Sequence, residues 1–132
     1  MPSTFTDNPV LIIEDNPVTR EWVTAILQRE GYQPILAGDA REALTLLRGG
    51  LRPCLIMLDM ILPNADGWTF FAERPRYPEV AAIPVIIMTA LGVASPEWAR
   101  SLGAVDLLRK PFAPSSLLAA VRTHARPEGV SR

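Results

Sequence analysis

An unbroken apolar run, Leu55-Ile56-Met57-Leu58, ends in the carboxylate of Asp59, and Pro63 follows four residues later. No polar residue alternates with the apolar ones, so a strand with one wet face does not fit. The run suits a strand buried on both faces, of the kind found inside parallel sheets. Asp59 stands where that strand should end. In open α/β sheets the carboxyl ends of the strands form the ligand crevice. Asp is also a common turn opener, so Asp59 alone leaves a structural and a chemical reading open. The other strand ends decide between them.

Four further segments read as strands. Val10-Leu-Ile-Ile13 runs into Glu14-Asp15, Gln33–Ala37 carries an edge-type Pro34, Pro84-Val-Ile-Ile-Met88 ends at Thr89-Ala90, and Val105–Leu108 leads into Lys110-Pro111. Helical patterns separate them. Asn16 reads as an N-cap with Pro17 as the first helical residue. Val18, Trp22, Ala25, Ile26 and Arg29 follow at helical spacing, four of them able to face a core, and Gly31 stops the helix. Asp39-Ala-Arg-Glu42 is a capping box before the stripe Ala40, Ala43, Leu44, Leu47. A third helix begins at Trp68, after the loop Pro63–Gly67, and Pro75 should cut it short, leaving an irregular 74–78 connection. Ser95 caps a brief helix that ends near Leu102 before Gly103. Ser115 or Ser116 caps a last one carrying Leu117, Leu118, Ala120 and Val121. Strands and helices alternating five times imply right-handed βαβ units: an α/β, doubly wound, five-stranded parallel sheet with helices on both faces.

A chain of 132 residues, almost half of them apolar, suffices for one domain with a real core. We read residues 9–124 as that domain, with flexible tails at 1–8 and 125–132. A net charge of −1 gives no electrostatic case for direct nucleic-acid binding or for an anionic membrane surface. The only cysteine, Cys54, cannot form an internal disulfide and reads as core packing in a reducing compartment. The first residues have no basic and apolar signal-peptide pattern. The apolar stretch 81–94 is too short to span a bilayer. A cytoplasmic location is therefore expected.

In a parallel sheet the strand ends share one edge. Glu14, Asp15 and Asp59 would then crowd together beside Thr89 and Lys110. Two unit charges about 4 Å apart repel by ~4 kcal/mol at an effective dielectric of 20. A hard cation held through oxygens relieves this, and Mg²⁺, which accepts carboxylates together with water and phosphate oxygens, suits the donors. Such a set fits attack of a carboxylate on a phosphoryl group, a reaction that needs mainly positioning and charge neutralisation.

On these residues the chain resembles the receiver domains of bacterial two-component response regulators. The resemblance rests on four pieces in order: Val-Leu-Ile-Ile-Glu14-Asp15-Asn, Leu-Asp59-Met-Ile-Leu-Pro63-Asn-Ala-Asp-Gly67, Ile-Pro84-Val-Ile-Ile-Met-Thr89-Ala90, and Gly103-Ala-Val-Asp-Leu-Leu-Arg-Lys110-Pro111-Phe112. It spans about Val10 to His124. It implies a flavodoxin-like strand order 2-1-3-4-5. It makes Asp59 the phosphoacceptor, with Asp15 binding Mg²⁺ directly, Glu14 binding it through water, and the backbone carbonyl of Ile61 completing the protein's ligands. Thr89 would be the switch hydroxyl, Lys110 the phosphate-binding lysine, and Lys110-Pro111 a cis peptide. A histidine kinase or histidine phosphotransfer protein would donate the phosphoryl group. The fourth helix, fifth strand and fifth helix would form the face read by an output protein. With no effector domain in the sequence, output must pass through another protein, or the chain is a piece of a larger one. The domain is expected to be a signalling module rather than an enzyme.

Three departures bear on output rather than on the acids. Leu107 occupies the place where the family often has an aromatic, the segment 89–103 is slightly short and carries Gly92 and Pro96, and Pro75 truncates the third helix. Leu107 and the altered fourth helix motivate the alternative of a non-phosphorylated pseudo-receiver that serves as an interaction module. A haloacid-dehalogenase-type phosphatase would need a second acid at Ile61, and a flavodoxin would need a hydroxyl- and glycine-rich loop in place of Glu14-Asp-Asn-Pro-Val-Thr19. His124 reads as a cation at a helix C-terminus. Trp22 and Trp68 read as packing residues. Leu91, Val93, Trp98 and Leu107 are candidates for a partner patch or for local packing.

Overall fold

The computed structural model describes residues 8–61 and 67–126. The chain runs β1 (Pro9–Ile13), α1 (Pro17–Arg29), β2 (Gln33–Ala37), α2 (Ala40–Arg48), β3 (Leu55–Asp59), α3 (Gly67–Glu73), β4 (Val85–Thr89), α4 (Pro96–Leu102), β5 (Asp106–Arg109) and α5 (Pro114–His124). All strand pairs are parallel, in the order β2-β1-β3-β4-β5. This is the expected doubly wound arrangement, with the Pro34 strand at an edge.

The all-apolar strands are explained by their two faces. Leu11, Ile13, Ile56, Leu58, Val85 and Ile87 pack with Ala43 and Leu47 of α2, Phe70 of α3 and Ala99 of α4. Their sequence neighbours Val10, Ile12, Leu55, Met57, Ile86 and Met88 point the other way, against Val23 and Leu27 of α1 and Leu117 and Val121 of α5. Successive side chains of a strand alternate faces, so a strand between two helical layers must be apolar throughout. Each buried Leu or Ile contributes about 1.5–3 kcal/mol.

The helix ends follow local chemistry. Asn16 Oδ1 accepts from the backbone N–H groups of Val18 (2.9 Å) and Thr19 (3.1 Å). Asp39 accepts from Glu42 N–H at 2.8 Å, while Glu42 reaches back to Gly38 N–H, also at 2.8 Å. Ser95 caps α4 through Trp98 N–H at 3.1 Å, and Gly103 closes it with φ 108°, a left-handed conformation that glycine adopts without penalty.

Several expectations need correction. The buried row of α1 is Val23, Ile26 and Leu27, so of the expected row only Ile26 faces the core. Val18 is 75% exposed, Trp22 38% exposed, and Ala25 lies outward. Both rows have helical spacing, and contact with β1 and β3 chose between them. β5 starts one residue later than expected. α5 starts at Pro114, before either serine, with no side-chain cap; a proline at N1 leaves one fewer N–H to satisfy. The 74–78 connection is ordered into a 3-10 turn (Arg74–Arg76) followed by a single helical turn, Pro78–Ala81. Arg74 Nη2 holds that turn through the carbonyls of Ala81 and Ile83, each at 2.8 Å. Two residues assigned to the C-terminal tail are tied to the body: Ala125 N–H donates to Val121 O (2.8 Å) and Arg126 N–H to Cys54 O (3.0 Å). The rest of that tail, the N-terminal tail up to residue 7 and most of the Pro63–Gly67 loop lie outside the described residues. No helix among the described residues is long and apolar enough to cross a membrane.

Candidate functional site

The carboxyl edge of the sheet gathers side chains from three strands. Glu14 continues β1 by one rung, its N–H donating to Ala37 O at 3.0 Å. That rung fixes its side chain inward, where it is fully buried. Asp15 follows and is exposed, and Asn16 turns the chain into α1. Asp59, the last residue of β3, is 7% exposed. Its Oδ1 accepts from Ile61 N–H at 3.0 Å, which shapes the exit from the strand. Lys110 N–H donates to Thr89 O at 2.8 Å, extending the β4–β5 ladder and delivering the lysine to the same edge. The Lys110-Pro111 bond is cis.

Lys110 Nζ donates to Glu14 Oε1 at 2.7 Å and to Asp59 Oδ2 at 3.1 Å. Glu14 Oε2 accepts from Asn16 N–H at 3.1 Å. Carboxylate oxygens of Glu14, Asp15 and Asp59 all lie within 4.8 Å of one another. Three carboxylates against one ammonium leave two negative charges when all are ionised. That excess and an all-oxygen donor set match a hard divalent cation. Burial pushes the Glu14 carboxyl above its ordinary range and nearby Asp59 adds to the rise, against the opposing bonds from Lys110 and Asn16. Burial acts to lower Lys110, but its bonds to Glu14 and Asp59 outweigh that and raise it. The lysine therefore stays charged.

These residues border a cleft of about 460 Å³ lined by Glu14, Asp15, Asp59, Ile61, Ala90 and Lys110, among others. Ile61 is 56% exposed at its mouth. Thr89 ends β4 at the same edge. It is fully buried, Ala90 rather than Thr89 lines the cleft, and Thr89 Oγ1 accepts from Leu91 N–H at 3.1 Å. A second hollow of about 350 Å³ adjoins the cleft, sharing Ala90 and Lys110, with Val18, Trp22 and Phe112 in its apolar wall. Trp22 turns toward Phe112, ring centroids 5.4 Å apart, rather than into the core.

The remaining candidates lie apart from the acids. His124 does not stand alone: its Nε2 is 3.0 Å from Asp106 Oδ2. Of the suggested patch only Val93 is freely exposed, at 88%. Trp98 and Leu107 are half-buried against the core, and Trp98 meets Trp68 edge-on at 5.6 Å. Sequence reasoning gave no role to Gly67. A Cβ there would stand 2.6 Å from Met60 Sδ and 2.8 Å from Met60 Cα, so only glycine lets α3 start against the strand that carries Asp59. The apolar Met60 beside a Gly-containing loop was the available signal, but the approach is tertiary. Arg109 was likewise missed; it bonds the carbonyls of Leu91 and Ala94.

Comparison with known proteins agrees with this geometry. The response regulator receiver domain profile matches residues 10–122. The phosphate regulon transcriptional regulatory protein PhoB of Escherichia coli is 35% identical over 119 residues, covering 89% of this chain and 51% of PhoB. This chain thus spans about half the length of the curated relatives it matches. Among solved structures, the chemotaxis response regulator CheY4 of Vibrio cholerae aligns with TM-score 0.79 and 30% identity, covering 89% of this chain and 98% of that one. The receiver domain of the sensor histidine kinase PA1611 from Pseudomonas aeruginosa aligns with TM-score 0.80 and 28% identity, covering 90% and 98%. That structure holds a magnesium ion in its active-site cleft. With its fold, its acid edge and its relatives all in agreement, the chain belongs to the response regulator receiver domain family of two-component systems.

Proposed function

We propose that this domain is a phosphoacceptor and that Asp59 takes the phosphoryl group. The observation that carries the reading is the position of Asp59: at the end of a rigid buried strand, bonded to Lys110 and within ligand distance of two other acids. A carboxylate oxygen of Asp59 attacks phosphorus. The new O–P bond forms as the donor's P–N bond breaks, and the electron pair leaves with the donor imidazole. Lys110, already charged, moves part of its hydrogen bonding from the carboxylates to the phosphoryl oxygens. Glu14 and Asp59 hold it in place until then. The Thr89 hydroxyl keeps its hydrogen available, because Oγ1 acts as acceptor toward Leu91, and it supplies a further donor to the phosphoryl group.

Glu14, Asp15, Asp59 and the Ile61 carbonyl are the groups we assign to Mg²⁺, with Glu14 acting through water. When bound, Mg²⁺ supplies charge neutralisation for the acids and for the incoming phosphoryl oxygens. The donor is a histidine kinase or a histidine phosphotransfer protein. Output passes through the face made by α4, β5 and α5 to a partner or to a further domain. PhoB is by name a transcriptional regulator, so DNA enters the proposal only through such further parts, not through this domain of near-zero net charge.

Incubation with acetyl phosphate and Mg²⁺ should add one hydroxylamine-labile phosphoryl group by intact mass, and Asp59→Asn should abolish it. No adduct on wild-type protein at millimolar Mg²⁺ would favour the pseudo-receiver alternative, which Leu107 and the short segment before the fourth helix motivate.

A further inference from the structure

The loop between β4 and α4 is held by side chains from both strands that flank it. Leu91 N–H is bound to Thr89 Oγ1, and Leu91 O accepts both from Ala94 N–H, at 3.2 Å, and from Arg109 Nη1, at 2.7 Å. Arg109 Nη2 donates to the carbonyl of Ala94, the residue before the Ser95 cap of α4. Arg109 lies in register with Thr89 across the β4–β5 pair. One planar guanidinium therefore grips both ends of the turn 91–94, one end attached to the Thr89 hydroxyl and the other to the start of α4. Within that turn Ala94 is buried, Leu91 is half-buried, and Gly92 and Val93 are exposed. Leu107, half-buried against the core, has no hydrogen-bonding group of its own to reach the loop.

We propose that Arg109 is a positioning residue that sets phosphoryl uptake and couples it to α4. The proposal rests on the phosphoacceptor reading and adds the means by which the site is regulated. With both carbonyls held, Leu91 keeps Thr89 Oγ1 turned toward the loop. Drawing that hydroxyl toward a phosphoryl group on Asp59 pulls Leu91 and, through Arg109 and Ala94, the N-terminus of α4. The clamp thus opposes occupancy of Asp59 and transmits it. Arg suits this role because its donors form a rigid fork, whereas Lys offers a single point charge.

The test compares wild type, Arg109→Ala and Arg109→Lys. Mg²⁺ affinity should be the same in all three. Fluoroberyllate affinity at saturating Mg²⁺, read by ¹⁹F NMR, should tighten about fivefold in Arg109→Ala, within the ordinary range of coupling between sites, with Arg109→Lys between. The fluorescence change of the Trp68–Trp98 pair on fluoroberyllate binding should shrink in the same order, because α4 is no longer pulled. Amide exchange at residues 91–95 should quicken in Arg109→Ala without ligand. A merely structural arginine would shift Mg²⁺ and fluoroberyllate affinities together. Equal fluoroberyllate affinity in all three proteins, or unchanged exchange at 91–95, overturns the clamp. Failure of wild-type protein to bind fluoroberyllate at all overturns the phosphoacceptor reading instead, and the exchange measurement separates the two.

Discussion

The two edges of the sheet hold their cations in different ways. At the amino edge, guanidiniums rest on backbone carbonyls: Arg74 on Ala81 and Ile83, Arg52 on Leu47 and Leu51, and Arg126 on Ala82. At the carboxyl edge Arg109 also rests on two carbonyls, but the ammonium of Lys110 rests on two carboxylates. Carbonyl dipoles have no alternative cation to prefer and carry no charge to be balanced. The amino-edge arginine contacts, far from any acid cluster, therefore act as staples that hold turns in place. Carboxylates do have alternatives. A metal ion or a phosphoryl group can redistribute the bonds of Lys110, so the carboxyl edge changes state while the amino edge does not.

Removing each cation should separate a charge balance from a staple. Lys110→Ala leaves Glu14 and Asp59 buried without their counter-charge and should lose about 3 kcal/mol in chelator, by urea denaturation. Mg²⁺ should return part of the loss, and phosphorylation by acetyl phosphate should fall below detection. Arg74→Ala removes two charge-assisted bonds to carbonyls and should cost about 2 kcal/mol. It should leave Mg²⁺ affinity and phosphorylation unchanged; a loss of either would erase the distinction between the edges.

Smaller effects refine it. Asp59→Asn removes one of three crowded charges while keeping the shape, and should stabilise the metal-free protein by about 1 kcal/mol at neutral pH, near the well-screened end of the Coulomb range. Mg²⁺ should then stabilise the variant less than wild type, by thermal melts with and without metal. The amino edge has its own titrating group, Cys54, just before β3. Burial pushes its thiol up to about 11 from 9.0. A raised folded pKa means that its contribution to stability is fully present below pH 9 and is lost as pH rises toward 11. At pH 8 the native thiol should react with iodoacetamide about a hundredfold more slowly than in urea, because the thiolate is the nucleophile. Equal rates would mean that this edge opens freely.

The legible parts of the molecule were those fixed by covalent spacing. Leu55–Asp59 suited a strand covered on both sides. Asn16-Pro17, Asp39–Glu42 and Ser95-Pro96 named their own helix starts, because a cap is a bond within one turn. The edge position of β2 was written in Pro34. The row of α1 that faces the sheet was not legible: Val18-Trp22 and Val23-Leu27 have the same spacing, and only contact with β1 and β3 distinguishes them. The start of α5 was misplaced because two serines offered a side-chain cap that Pro114 made unnecessary.

At the candidate site, sequence order placed the acids and the lysine on one edge, since parallel strands all finish on the same side. It could not give the bonds among them. The 2.7 Å contact of Lys110 with Glu14 spans 96 residues, and Leu91, which bonds the Thr89 hydroxyl, is itself bonded by Arg109 from another strand. Local propensity and apolar pattern act over a few residues, and they determined the elements and the edge on which the chemistry collects. Which charges meet, which hydroxyl is held back and where a methyl group has no room, as at Gly67, are set by distances between segments far apart in the chain. Only packing of the whole sheet decided those.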